Sequence, residues 1–274
     1  MNPMRGLLGA CTLLTFSSLA PAQAPDATDM QSLLTKIEDH RVLLVGEMHG
    51  THEVPALVGE IAATLANTDR TLIVGLEIPR NEQARIDSFL KSAGSESDRV
   101  KLLEGEFWQR DYQDGRSSVA MLELIERLRQ IALKSKIRVL AIDIVPDAKA
   151  TGAARDQAMA KMLLAALKKD SDAKGMVLAG NFHTRVQDGA PWDPKHRFMG
   201  HYLLDQSVYA IEVMGVSGNM WICTDPDATS CKSRDIPANK LQAGLVLEDA
   251  VGDRGHHAHW WLPSTSAALP AKGP

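Results

Sequence analysis

The sequence predicts an α/β fold: a mostly parallel sheet with helices on both faces and an antiparallel C-terminal extension. Three observations predict it. Four short, continuous apolar runs recur along the first two thirds of the chain, as expected of strands buried on both faces. Stretches of helical periodicity separate them, which implies right-handed crossovers and a parallel sheet. Beyond Gly200 the apolar runs follow one another without a long helix between them.

Arg41–Val45 is the first run, ending at Gly46. Glu53 to Ala66 places Val54, Leu57, Val58, Ile61 and Leu65 on one helical stripe. Thr71–Leu76 is the second run, and Asn81 caps a helix passing through Ile86, Phe89 and Leu90. A long amphipathic helix is expected from Ser117 to Lys134 and a third strand over Ile137–Ile142. Another helix follows from Thr151 to Lys169, then a fourth strand over Gly175–Ala179. Ser207–Val213, Met220–Thr224 and Leu245–Glu248 read as the strands of the antiparallel extension.

Both ends are set apart. Residues 1–22 carry Arg5, an apolar run from Gly6 to Ala20 and a small-residue exit, the layout of a secretory signal peptide. Cleavage after Ala22 leaves Gln23 first. A lipoprotein anchor at Cys11 is the weaker alternative, because the stretch before it is too short for a charged region and a full apolar core. Residues 23–36 read as a flexible segment, 37–262 as one α/β domain, and 263–274, rich in Ala, Pro and Ser, as a disordered tail. Nothing after the signal reaches the roughly 20 apolar residues of a membrane span, so no integral membrane segment is expected.

Composition narrows the function classes. The net charge is −4 with both signs interleaved, so no nucleic-acid footprint appears. Aromatic residues make up 5% of the chain, which argues against a stacking surface for sugars or bases. Cys223 and Cys231 flank a turn-rich stretch and, after export, read as a disulfide closing a short loop.

In parallel sheets, ligands bind beyond the carboxyl ends of the strands. The four runs deliver Glu47 and His49, then Glu77 and Arg80, then Asp143, then Asn181 and His183. A carboxylate at a buried strand end costs several kcal/mol unless it is paired or bound to a metal, on the order of the transfer cost of a polar group. Glu47, His49, Glu77, Arg80 and His183 are therefore the candidate ligand-binding residues. His49, Glu77 and His183 are the candidate ligands of a divalent metal. Equally, Glu47 and His183 could serve as base and oxyanion partner in hydrolysis.

Two G-x-x-H motifs, Gly46–His49 and Gly180–His183, flank the glutamates. With Glu47, Glu77 and Arg80, they resemble the superfamily that joins the Tiki proteases, TraB-type proteins, erythromycin esterases and ChaN haem-binding proteins. The stretch VGEMHGTHEVP is also similar to the start of the esterases. The resemblance implies an α/β fold with a shared pocket, and by size and export it is closest to ChaN. It implies haem or an iron-linked small molecule as ligand. Tyr112, His52 and Tyr202 are the candidate axial ligands, with no motif choosing between them. A hydrolase is the alternative, a non-catalytic interaction module the second, and self-association of the chain stays open.

Other segments complete the reading. Trp108 and Tyr112 form either an apolar lid or a core anchor. His256, His257 and His259 form either a metal-binding strand or an exposed end. Neither a G-x-S-x-G elbow nor H-E-x-x-H is present, which disfavours serine hydrolases of the α/β-hydrolase type and zincin-type peptidases.

Overall fold

A computed structural model describes residues 26–145, 152–237, 240–248 and 250–273. The signal peptide and Cys11 lie outside the described residues.

The chain begins with α1 (Ala27–Ile37) and β1 (Val42–Glu47), followed by α2 (Glu53–Leu65) and β2 (Leu72–Pro79). A 3-10 turn over Arg80–Glu82 leads into α3 (Gln83–Leu90), α4 (Glu96–Leu103) and α5 (Glu106–Gln109). Then come α6 (Val119–Ala132), β3 (Ile137–Asp143), α7 (Gly152–Lys169) and β4 (Lys174–Gly180). A 3-10 segment, Met199–Gln206, precedes β5 (Val208–Gly215), β6 (Asn219–Ile222), β7 (Lys232–Asp235), β8 (Gly244–Leu247) and β9 (Ala258–Leu262).

Seven strands form one sheet in the order β3-β2-β4-β1-β5-β9-β8. Alternate side chains of each strand feed two apolar layers, as the pleat requires. Leu43 and Val45 of β1 face α2 and α6 together with Val74 and Leu76 of β2. Val42 and Leu44 face α7 with Ile73 and Val177. Helices therefore cover both faces, and the expected fold class holds.

The C-terminal third differs from the expectation in detail. Strand β5 runs parallel to β1, and β9 parallel to β5. Among the described strands, antiparallel pairing is confined to β8 against β9 and to the separate two-stranded sheet of β6 and β7. An apolar run marks a strand but carries no mark of its direction. The Cys223–Cys231 disulfide closes the loop between β6 and β7.

Both expected loose ends are ordered where they are described. Residues 27–36 lie in α1, capped by the Asp26 carboxylate on the Thr28 N–H at 2.7 Å. The tail packs back on the domain. Ser266 donates through its backbone N–H and hydroxyl to Glu53, at 2.8 and 2.6 Å, and Ala268 N–H donates to Gly50 O at 2.9 Å. These contacts supply the ordering energy that the composition alone does not disclose.

Candidate functional site

Strands β1, β4, β2 and β3 are neighbours, so their carboxyl ends open onto one rim. Glu47 stands opposite Gly180 in the β1–β4 register. A register shift between Leu76 and Pro79 re-aims the end of β2, a common role for a bulge beside a functional site. Glu47, His49, Glu77, Asp143 and His183 meet there.

His49 Nδ1 lies 2.8 Å from Glu47 Oε1, and its Nε2 lies 3.5 Å from Glu77 Oε2. Its side chain is 22% exposed, whereas both glutamates are buried. Gly180 makes this approach feasible. A Cβ there would fall 3.1 Å from His49 Nε2 and 3.5 Å from Glu77 Oε2. The Gly180 N–H donates to Glu77 Oε2 at 2.7 Å.

Two arginines hold the other side of Glu77. Arg116 Nη1 donates to Glu77 Oε1 and to Asp143 Oδ2, each at 3.0 Å. Arg155 Nη2 reaches Glu77 Oε1 at 2.5 Å and Asp143 Oδ2 at 2.7 Å, while its Nε donates to Asp143 Oδ1 at 2.8 Å. Asp114 in turn clamps Arg116 through Nε and Nη2 at 3.1 and 2.7 Å.

The remaining Arg155 nitrogen, Nη1, lies 2.8 Å from His183 Nε2. A guanidinium has no acceptor, so His183 Nε2 accepts and its proton sits on Nδ1. That Nδ1–H donates to Asp156 Oδ1 at 2.6 Å. Asp156 is buried and also receives Met199 N–H at 2.9 Å and approaches His196 Nε2 at 3.1 Å.

Charge follows from these contacts. Burial pushes the Glu77 carboxyl up, but the cationic groups around it, Arg116 and Arg155 among them, more than reverse it and hold it well below its ordinary value of 4.5. Burial favours neutral His49, yet Glu77 and Glu47 outweigh it and raise its pKa above 6.5. Glu47 is raised, chiefly by burial. Its Oε2 is buried with no hydrogen-bond partner among the described residues.

A second polar cluster lies alongside. The Asn181 N–H donates to Glu47 O at 2.9 Å, and its amide donates to Glu212 Oε1 at 2.9 Å. Glu212, on β5, is buried and also holds Arg254 Nη2 at 2.7 Å and His259 Nδ1 at 3.1 Å. His256 is buried beside Thr184 Oγ1 at 2.9 Å, and burial pulls its pKa to about 4. The histidine tract is therefore neither an exposed end nor a free metal-binding strand. His257 Nδ1 accepts the Ala210 N–H at 3.0 Å.

Several candidates fall elsewhere. Arg80 is exposed in the turn after β2 and makes no ion pair with the cluster; Arg116 and Arg155 take the place expected of it. Trp108 is fully buried, a core anchor rather than a lid, while Tyr112 lies at the surface. His52 sits at the start of α2, 4.0 Å from Glu123, and Tyr202 packs edge-on against His201. None of these three axial candidates contacts the cluster by hydrogen bond or ion pair.

The expected metal ligands do not fit a metal in this arrangement. Both nitrogens of His183 are engaged, and the Arg155 guanidinium lies where a cation between Glu77, Asp143 and His183 would sit. No cluster of three or more His, Cys, Asp or Glu side chains suited to a metal occurs among the described residues.

Residues 33–151 match the family model of haem-binding uptake proteins of the Tiki superfamily, ChaN. The matched stretch includes Glu47, His49, Glu77, Arg116 and Asp143; the second G-x-x-H motif lies beyond it. Among solved structures, the chain is similar to an erythromycin esterase mutant in its open conformation, with a TM-score of 0.69 and 12% identity over 90% of this chain and 96% of that one. It is also similar to a succinoglycan biosynthesis protein, at 0.67 and 11% over 90% and 93%. A Bacillus cereus protein follows at 0.60 and 12% over 89% and 93%. Identities this low show a shared fold. No curated protein matches the chain significantly.

The charge arrangement predicts how stability responds to acid. Because the folded pKa of Glu77 is depressed, its contribution is complete above the unfolded value near 4.5 and is lost as pH falls through the folded value. Glu77→Gln should destabilise the fold by roughly 3–5 kcal/mol at neutral pH, since buried guanidiniums lose a counter-charge. The gap to the parent should narrow below pH 4.5. Urea unfolding at several pH values measures both; a gap independent of pH would mean that Glu77 is not held ionised.

Proposed function

We propose that the ChaN-like domain is a metal-independent hydrolase of a small ester or amide, with His49 as its general base. The observation that carries this is the His49 ring set between Glu47 at 2.8 Å and Glu77 at 3.5 Å with its side chain still 22% exposed. A buried carboxylate on Nδ1 fixes the ring orientation and stabilises the imidazolium that forms, the role of the acid in a catalytic triad. Glu47 cannot itself meet a substrate water: one oxygen is bonded to His49 and the other is buried. The base thus moves from Glu47, the sequence-based candidate, to its neighbour.

In this reaction His49 Nε2 takes a proton from water, and the water oxygen adds to the carbonyl carbon. Collapse of the tetrahedral intermediate breaks the bond to the leaving group, which receives the proton back from His49. Arg116 and Arg155 keep Glu77 ionised beside the developing imidazolium. His183, whose Nε2 accepts from Arg155, has no proton to offer an oxyanion from that nitrogen; it positions the arginine instead.

His49→Ala should lower kcat roughly 100-fold or more on any ester that the parent hydrolyses, the scale of lost acid–base catalysis. Activity should rise with pH along a limb set above 6.5, because His49 must be neutral to act. Glu47→Gln should move that limb to lower pH by removing one of the carboxylates that raise His49; Glu77, Arg116 and Asp114 are the other charges facing it. EDTA should leave the rate unchanged. Equal rates in the parent and His49→Ala would refute the assignment.

A second reading is haem binding, supported by the family match rather than by the cluster. Titration of the whole chain with haem, followed at the Soret band, should then saturate at a fixed stoichiometry. Loss of that shift on changing Tyr112, His52 or Tyr202 would name the axial ligand, whereas a linear, unsaturable signal excludes the reading.

Export is part of the proposal. The signal-like residues 1–22 and a disulfide suited to an oxidising compartment support it. Chain recovered from outside the cytoplasm should begin at Gln23; recovery with Met1 intact would argue against processing.

A further inference from the structure

Aromatic residues are scarce in this chain, yet three gather beside the reacting end of β4. Phe182, between Asn181 and His183, is 39% exposed and meets Trp192, 64% exposed, edge-to-face at 5.2 Å. Phe198 stacks behind Phe182 at 5.9 Å. Two exposed rings in contact form an apolar patch that solvent alone does not favour.

The patch is built rather than incidental. Trp192 rides at the tip of a small hairpin closed by Gly189 N–H to His196 O at 2.8 Å and by the Ala190–Asp193 bridge. Gly189 has φ +99°, a conformation that favours glycine. At the hairpin's base His196 is buried, packs on Phe198 at 4.6 Å and reaches Asp156, the carboxylate that also holds His183. The tip is thus anchored to the same group that orients the site.

A cation completes it. The Arg185 guanidinium lies 5.9 Å from the Phe182 ring centre and 5.3 Å from that of Phe198. Its Nε is buried without a hydrogen-bond partner among the described residues. Gly180, which abuts His49 and Glu77, is two residues from Phe182, so their backbones lie within roughly 7 Å of each other.

We infer that Phe182, Trp192 and Arg185 form a subsite for a planar apolar group bearing a carboxylate, placed next to the His49 centre. This rests on the hydrolase reading and narrows it: the favoured substrates are esters or amides of flat aromatic acids, and the acid product is retained by Arg185.

The probe is 2-naphthoate, titrated calorimetrically into the whole chain. Trp192→Ala should weaken binding roughly three- to tenfold, the scale of one aromatic contact. Trp192→Phe should restore most of it. Arg185→Gln should erase the preference for 2-naphthoate over the neutral 2-naphthalenemethanol. Trp192 is exposed, so its loss leaves the core intact. Kinetics with methyl 2-naphthoate and methyl acetate separate the two claims: Trp192→Ala should raise KM for the first several-fold more than for the second. If the parent binds 2-naphthoate through Trp192 yet cleaves no ester, the hydrolase reading falls and the subsite stands. No binding by the parent, or equal affinity or KM in parent and Trp192→Ala, overturns the subsite and leaves the hydrolase reading to be judged on His49→Ala.

Discussion

Burial of the Glu77 carboxylate at the end of a central strand is the constraint around which the rim is organised. An ionised carboxylate away from water is costly unless charge and hydrogen bonds compensate it. Glu77 receives both Arg116 and Arg155, the Gly180 N–H and the approach of two imidazoles. The partners come from separate parts of the chain, so satisfying this one group fixes the loop before α6, the start of α7 and the turn after β4 relative to one another. Fold and site are coupled here: α7 docks by its apolar stripe of Met159, Leu163 and Leu167, and in docking delivers Arg155 to Glu77.

What the sequence disclosed follows from what a strand end must do. Val42–Val45 and Leu72–Leu76 are apolar throughout because both sheet faces are covered, and the first polar residues after them emerge at the rim. Glu47, His49, Glu77, Asp143 and His183 were legible for that reason. Arg80 obeyed the same rule by position but not in space, because Pro79 and the 3-10 turn carry it outward. Arg116 and Arg155 could not be read in this way. A cation in a loop or in the first turns of a helix is ordinarily a solvated residue, and only the tertiary position of Glu77 makes it something else. The one signal available was the unpaired excess of carboxylates at the strand ends, which requires buried cations from somewhere.

The C-terminal third shows the complementary failure. Val208–Val213 was visible as a strand, but whether it runs parallel or antiparallel to β1 is decided by the path of the chain around it. The histidine tract misled because composition describes exposure on average, whereas His256 and His259 find Thr184 and Glu212 in the interior. The tail misled likewise: Ala, Pro and Ser give little to a core, yet the backbone of residues 265–271 pairs with Asn219, Gly50 and Ser117. Order there comes from main-chain hydrogen bonds, which sequence composition does not register.

A shared fold leaves chemistry open, since function resides in what occupies the site. In this chain the space between Glu77, Asp143 and His183 is filled by a side chain, Arg155, fixed by hydrogen bonds to all three. A divalent ion there would need Arg155 withdrawn, breaking its bonds to two buried carboxylates and freeing His183 from its acceptor role. The ion would have to repay that rearrangement before gaining anything from coordination. A guanidinium also cannot lower the pKa of a bound water as a Lewis acid does, so in the proposed hydrolysis the proton is removed by a side chain. His49, flanked by two carboxylates and still reached by solvent, is the group on the rim that meets this requirement.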